Sequence, residues 1–262
     1  MEPSAQKSLK IRRFIMPIIQ LVLALIVLSI LYTRMIKREI PEPISKPQAA
    51  VPVVLGVVSL PVSFVLFLAF GTMLVAVGYS KDELPMIVSS VIGAFFAAGF
   101  PEEIAKFLMM AITIMIFRSR IRNVYEYILI GAGVGFGFTI FEEFLYGSGG
   151  TMELLRLIDV AAHMVFGIIM AKHLGLARYN KATGKGPVAS EYIKAFVIPV
   201  LMHTALDACS GTNAFLASED DLMVLIGMAM GIGAIIIMFV VQIVVLKRLK
   251  NNAETYNGMV FN

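Results

Sequence analysis

Charge, cysteine and histidine are all scarce in this chain. Only 15% of its 262 residues are charged while 58% are hydrophobic, and a soluble domain normally carries about 25% charged residues. The single cysteine, Cys209, excludes an intramolecular disulfide framework and an all-thiolate metal site. No Lys/Arg run is interleaved with aromatic residues, so the net charge of +4 does not describe a nucleic-acid groove, and no nucleic-acid partner is expected. Three catalytic signatures are missing as well. There is no HExxH zinc helix, and the glycine-rich GAGVGFGF carries Phe136 where a GxGxxG fingerprint needs its last glycine. No GxSxG elbow supports Ser210 as a nucleophile.

What the chain has instead is length of apolar sequence. Its mean hydropathy is +0.85, and several runs reach the roughly 20 residues that cross a bilayer core. The runs are continuous rather than alternating, so helices rather than strands must satisfy the backbone in lipid. The sequence therefore predicts an all-α, polytopic transmembrane helix bundle with its active site inside. The runs are 14–33, 51–79, 86–117, 128–146, 160–177, 194–210 and 222–246. If 86–117 crosses once, broken near Pro101, there are seven spans; if it forms two short elements, there are eight. Residues 1–50 read as an uncleaved N-terminal anchor helix and a polar linker, because the first run is too long for a signal peptide and has no small-residue cleavage site. Residues 51–246 read as the catalytic bundle and 247–262 as a tail.

Loop charge orients the bundle. Arg118, Arg120 and Arg122, then Arg178, Lys181, Lys185 and Lys194, then Lys247, Arg248 and Lys250 mark three cytoplasmic segments. The expectation is a multi-pass cell-membrane protein with a cytoplasmic C-terminus. The first span has basic residues at both ends, so its direction stays open.

Ionisable residues inside spans are costly and point to function. Here they form four clusters: Glu102/Glu103/Lys106, Glu142/Glu143, His163, and His203/Asp207. In FPEEIAKF, Pro101 suits a helix first turn, which would put both glutamates at a positive helix end. Lys106 lies three and four residues on, within reach of either. Adjacent residues diverge by about 100°, so one glutamate can hold Lys106 while the other faces a cavity as a general base. A self-neutralising ion pair between helices is the competing reading. His203 and Asp207 are i and i+4, a pair suited to fixing an imidazole tautomer for catalysis or metal binding, or else to a plain interhelical bond. One of Glu142 and Glu143 could face the site, the other reaching the outer interface. Gly131/Gly135 and Gly133/Gly137 are overlapping GxxxG pairs, which permit close helix contact. His173, beside Lys172 near a helix end, reads as a residue that snorkels to the interface. By the loop orientation, all four clusters converge at one depth, toward the extracytoplasmic side.

At these residues the chain resembles the PrsW family of intramembrane proteases, a distant relation of the CAAX-prenyl endopeptidases. Its EExxK pattern is met by Glu102, Glu103 and Lys106; GFxxxExxxY by Gly137, Phe138, Glu142 and Tyr146; HxxxG by His163 and Gly167; HxxxD by His203 and Asp207. Glu143 departs from the pattern, since the family often carries asparagine there. The resemblance implies an endopeptidase acting on a membrane protein in the bilayer, with regulated proteolysis of a membrane-held anti-sigma factor as precedent. Glu102 would activate water, Glu103 and Lys106 would hold its geometry, His163 would position the water, and His203 with Asp207 would stabilise the oxyanion. A divalent metal, zinc by ligand chemistry, is an alternative held by His163, His203 and Glu142 or Glu102. Two other classes stay open on the residues alone: a proton-coupled transporter or channel with a Glu/His relay, and a non-catalytic scaffold.

Overall fold

The computed structural model describes residues 3–39, 41–80, 83–148 and 154–261. Parts of two expected joints, residues 81–82 and 149–153, lie outside them, as does the side chain of Tyr146. The described residues form helices α1 (Pro3–Ile36), α2 (Lys46–Ala76), α3 (Met86–Ala94), α4 (Phe100–Ile116), α5 (Val124–Ser148), α6 (Ala162–Thr183), α7 (Val188–Cys209), α8 (Asp221–Asn251) and α9 (Ala253–Gly258). No strand occurs among them. A π-turn, Phe95–Gly99, joins α3 to α4, so 86–116 is one continuous rod and not two short elements.

Six of these helical segments are long and apolar enough to cross a membrane: Ile18–Ile36, Lys46–Ala76, Met86–Ile116, Val124–Leu145, Val188–Ala217 and Asp221–Asn251. The expected run 160–177 forms α6, which falls short in apolarity because Lys172, His173, Arg178 and Lys181 share its length. Its first half is enclosed, His163 through Ala171 all being buried, while Lys172, Arg178 and Lys181 lie in its second half and keep part of their surface exposed. Its closest partner is α5, 72% of whose apolar window is buried, against 11% for the peripheral α8.

The glycines of α5 explain how two neighbours approach it at once. Gly131 and Gly135 face α6, where a Cβ would overlap the backbone carbonyls of Gly167 and His163; Gly133 and Gly137 face α2, where it would meet Pro52 and Val53. The two GxxxG pairs therefore serve opposite faces.

The three basic segments share one end of the bundle. Arg122 pairs with Glu42 at 2.5 Å, the Phe261 N–H donates to the Arg122 carbonyl at 2.8 Å, and the Arg178 guanidinium lies 4.3 Å from the Phe261 ring centroid. The last turn of α1 is also there, since the Tyr125 hydroxyl donates to the Met35 carbonyl at 2.9 Å. Farther along, Gln20 of α1 meets Glu143 near the opposite end of α5. Thus α1 runs antiparallel to α5. Glu142 lies 18 residues beyond the start of α5, about 27 Å from the basic end at 1.5 Å per residue.

Candidate active site

The site begins with a break in helical geometry. Within a regular α-helix, Pro101 would lack its donor and clash with the carbonyl four residues back. The π-turn at Phe95–Gly99 ends just ahead of it, in the place where such turns relieve this conflict and often mark functional sites. Pro101 falls where expected, at the opening of α4 with Glu102 and Glu103 in its first turn, but the π-turn runs directly into that turn, so the end is not a free one. The charge of the two glutamates is balanced by side chains instead. Gly99 lets the rod touch α7: a Cβ there would overlap the Thr204 hydroxyl. That close contact sets the register between Glu103 and His203.

Adjacent glutamates do divide their tasks. Glu103 is fully buried; its Oε1 accepts from Lys106 Nζ at 2.5 Å and from His203 Nδ1 at 2.9 Å. A carboxylate can only accept, so the Nδ1 proton points to Glu103 and Nε2 is turned to the other side. There it faces Glu102 Oε2 at 3.6 Å and Asp207 Oδ2 at 3.5 Å. Glu102 Oε2 has no hydrogen-bond partner, and Lys106 Nζ stands 4.0 Å from it. Lys106 is itself wholly enclosed, with His163 Nδ1 at 3.0 Å and the Phe138 ring centroid at 4.2 Å.

His163 completes the cluster from α6. Its Nε2 is 2.7 Å from Glu142 Oε2, and its ring stands edge-on to His203 with centroids 5.1 Å apart. Glu102, Glu103, Lys106, Glu142, His163, His203 and Asp207 are thus brought together from α4, α5, α6 and α7. Glu143 is a correction. It does not reach an outer interface but is buried, bonded to Gln20 Nε2 at 2.5 Å and to Arg156 Nη2 at 3.1 Å. His173 is another: it is buried and its Nδ1 lies 2.6 Å from Glu191 Oε2, so it does not snorkel. It stands apart from the site.

Ligand atoms of Glu102, His163 and His203 all lie within 4.8 Å of one another. Glu142, the alternative ligand in the sequence reading, is engaged by His163 and Arg156. The trio fits a divalent metal on three counts, provided one His163 nitrogen is released from Lys106 Nζ or from Glu142 Oε2. The donor set of two imidazoles and a carboxylate suits zinc; Glu102 Oε2 is an unpaired buried oxygen; and His203 Nδ1 is held by a carboxylate, the usual orientation of a metal-bound histidine. Charge agrees, because among the described residues the fixed cations paired with Glu102, Glu103, Glu142, Glu143 and Asp207 are Lys106 and Arg156.

Residues 46–246 match the family described as PrsW family intramembrane metalloprotease. This chain belongs to the PrsW family. Among its relatives, Protease PrsW of Bacillus subtilis (strain 168) is 32% identical over 119 residues, covering 44% of this chain and 52% of the relative. Protease PrsW of Halalkalibacterium halodurans is 31% identical over 121 residues, covering 44% and 53%. That of Shouchella clausii is 28% identical over 117 residues, covering 44% and 52%. The chain spans about half the length of these curated PrsW relatives in each match. No solved structure matches it.

Sequence reasoning missed Arg156 and Gln20. Arg156 sits in the short 3-10 turn Leu154–Leu157, where an arginine looks like ordinary loop polarity. Gln20 was the more legible of the two, a lone amide within the apolar run of α1.

Proposed function

We propose that this PrsW-family chain is a membrane-embedded endopeptidase that hydrolyses a peptide bond of another membrane protein. The observation that carries the reading is the unequal exposure of the paired glutamates. Each glutamate leaves its Oε2 without a hydrogen-bond partner, but the Glu103 side chain is 0% exposed with Oε1 doubly bonded, whereas the Glu102 side chain is 19% exposed. A self-neutralising ion pair needs only Glu103 and Lys106. Glu102 is the additional carboxylate, placed where a water can reach it.

In this mechanism the Glu102 carboxylate takes a proton from water, and the resulting hydroxide attacks the scissile carbonyl carbon. The oxyanion of the tetrahedral intermediate forms near His203 Nε2, which Glu103 and Asp207 hold in orientation. Collapse breaks the C–N bond as the proton on Glu102 passes to the leaving amine. His163, fixed between Lys106 and Glu142, positions the water. In the alternative metal version Glu102, His163 and His203 would instead hold a divalent cation, zinc by their donor chemistry, in place of the base, water-positioning and oxyanion roles just given. Such a cation, when bound, acidifies water and polarises a carbonyl.

By the loop-charge rule, the basic end is cytoplasmic and so is the C-terminus; cleavage then falls in the extracytoplasmic half of the bilayer. The substrate class is a single-span membrane protein, and the family precedent makes a membrane-held anti-sigma factor the first one to test in regulated signalling.

The decisive experiment co-reconstitutes the purified protein with single-span substrates and compares wild type, Glu102→Gln and His203→Ala. Glu102→Gln is expected to lower cleavage by about 10²–10⁴-fold, the range for loss of a general base. Chelator dialysis followed by zinc addition, with bound zinc counted by elemental analysis, tests the metal. If both variants cleave normally, or if they abolish ion flux without changing cleavage, the protease reading is lost.

A further inference from the structure

Beyond Glu142, on the far side of His163, a chain of side chains has no role in the mechanism above. Arg156 Nη2 lies 3.3 Å from Glu142 Oε1, and Glu142 Oε2 is the oxygen that meets His163 Nε2 at 2.7 Å. Both oxygens of Glu142 are therefore engaged, one by the histidine and one by the guanidinium. Arg156 is held in turn. Its Nε donates to Glu143 Oε1 at 3.2 Å and its Nη2 to the same oxygen at 3.1 Å. The other oxygen of Glu143 accepts from Gln20 Nε2 of α1 at 2.5 Å. The glutamates are adjacent on α5, so they point about 100° apart; Arg156 bridges two directions that α5 alone cannot join.

We propose that Arg156 is a positioning residue for His163, acting through Glu142, with Glu143 and Gln20 fixing the guanidinium. The arrangement is suited to this task because a carboxylate bound at one oxygen only can swing away from the ring it orients. An arginine fork that spans two carboxylates defines the plane of both. The device also gives α1 a part in the site, although Gln20 lies before the family-matched region, which begins at residue 46. It accounts for Glu143 as well. An asparagine there is shorter and uncharged, whereas the glutamate reaches both Arg156 and α1.

The test uses the full-length protein, 15N-labelled at histidine, in micelles. The chain has three histidines, so the ring signals can be assigned with His163→Gln and His173→Gln variants. Arg156→Met is expected to shift the His163 ring-nitrogen signals and leave those of His173 in place. In a Glu142→Gln background the same substitution is expected to shift nothing further. The activity arm rests on the protease reading: kcat falls about 10–100-fold, as for loss of an outer-shell partner, with KM within about two-fold, and Arg156→Lys recovers part of the loss. Should Arg156→Met fail to fold, Gln20→Leu is expected to shift the same signals in the same direction by less. Unmoved His163 signals in a folded variant, or effects of Arg156→Met and Glu142→Gln that simply add, would overturn the proposal. If the wild type cleaves nothing, the protease reading fails while the ring signals still decide whether Arg156 positions His163.

Discussion

Lys106 offers the sharpest test of how the site is held together. Its ammonium and the Glu103 carboxylate are both fully buried and 2.5 Å apart, with His163 Nδ1, the Phe138 and Phe166 rings and, at 4.0 Å, Glu102 Oε2 also around it. Lys106→Met keeps most of the side-chain volume and removes the charge. Glu103 is then a buried carboxylate with His203 as its only hydrogen-bonding partner at Oε1, and Oε2 is already unpaired. Breaking a buried pair in this way costs about 3–5 kcal/mol, to which the lost cation–π contact with Phe138 adds about 0.5–2 kcal/mol. For a chain of this size each kcal/mol lowers Tm by roughly 2–4 °C, so the variant should melt on the order of 10 °C below wild type. Glu103→Gln in the same chain removes the stranded charge while leaving an oxygen to accept from His203, and should recover at least half of the loss. Thermal unfolding in one detergent at one scan rate reads both. A Lys106→Met protein that melts within about 2 °C of wild type, or a double variant that melts below it, would refute the account of Glu103 as a charge held by Lys106.

Two further outcomes follow from packing and from the basic end. Gly167→Val would drive a side chain into the Gly131 carbonyl and separate α5 from α6, whereas Gly71 has open space around it. The first should cost about 1–3 kcal/mol by overpacking and abolish cleavage; Gly71→Ala should be neutral or raise Tm slightly. Equal melting shifts would contradict the close contact. At the basic end, burial pushes Glu39 up from 4.5 to about 7, offset in part by the Asn123 hydrogen bond and by Arg122 while Glu126 adds to the rise. A folded-state pKa above the unfolded one means stability that is full below about pH 4.5 and lost as pH rises through about 7. Glu39→Gln should therefore match wild type near pH 5 and exceed it near pH 8, by on the order of 2–3 kcal/mol. Parallel melting curves across that interval would remove Glu39 as the source.

Much of the site was legible because membrane burial makes each ionisable residue conspicuous. Glu102, Glu103, Lys106, His163, His203 and Asp207 could be named from their place in apolar runs, and i, i+4 spacing placed Asp207 beside His203. Glu143 and His173 were misplaced for a common reason. Hydropathy reports how deep a residue lies along a helix, but the azimuth at which its neighbours stand decides whether a charge meets lipid, water or a partner. Glu143 met Gln20 and Arg156, and His173 met Glu191. Pro101 does open α4 with both glutamates in the first turn, but the π-turn ahead of it keeps the rod continuous, an adjustment that local propensity does not announce.

By itself, the sequence determined the medium and the secondary structure. Continuous apolar runs in lipid leave the backbone little choice but helix. It also determined which residues are too costly to be buried without purpose. Only the tertiary structure decided which glutamate is fully enclosed and which is part-exposed, because Glu103 meets His203 across 100 residues of chain and no local spacing encodes that contact. The same holds for Arg156 and Gln20, whose roles exist only where α1, α5 and the turn before α6 converge.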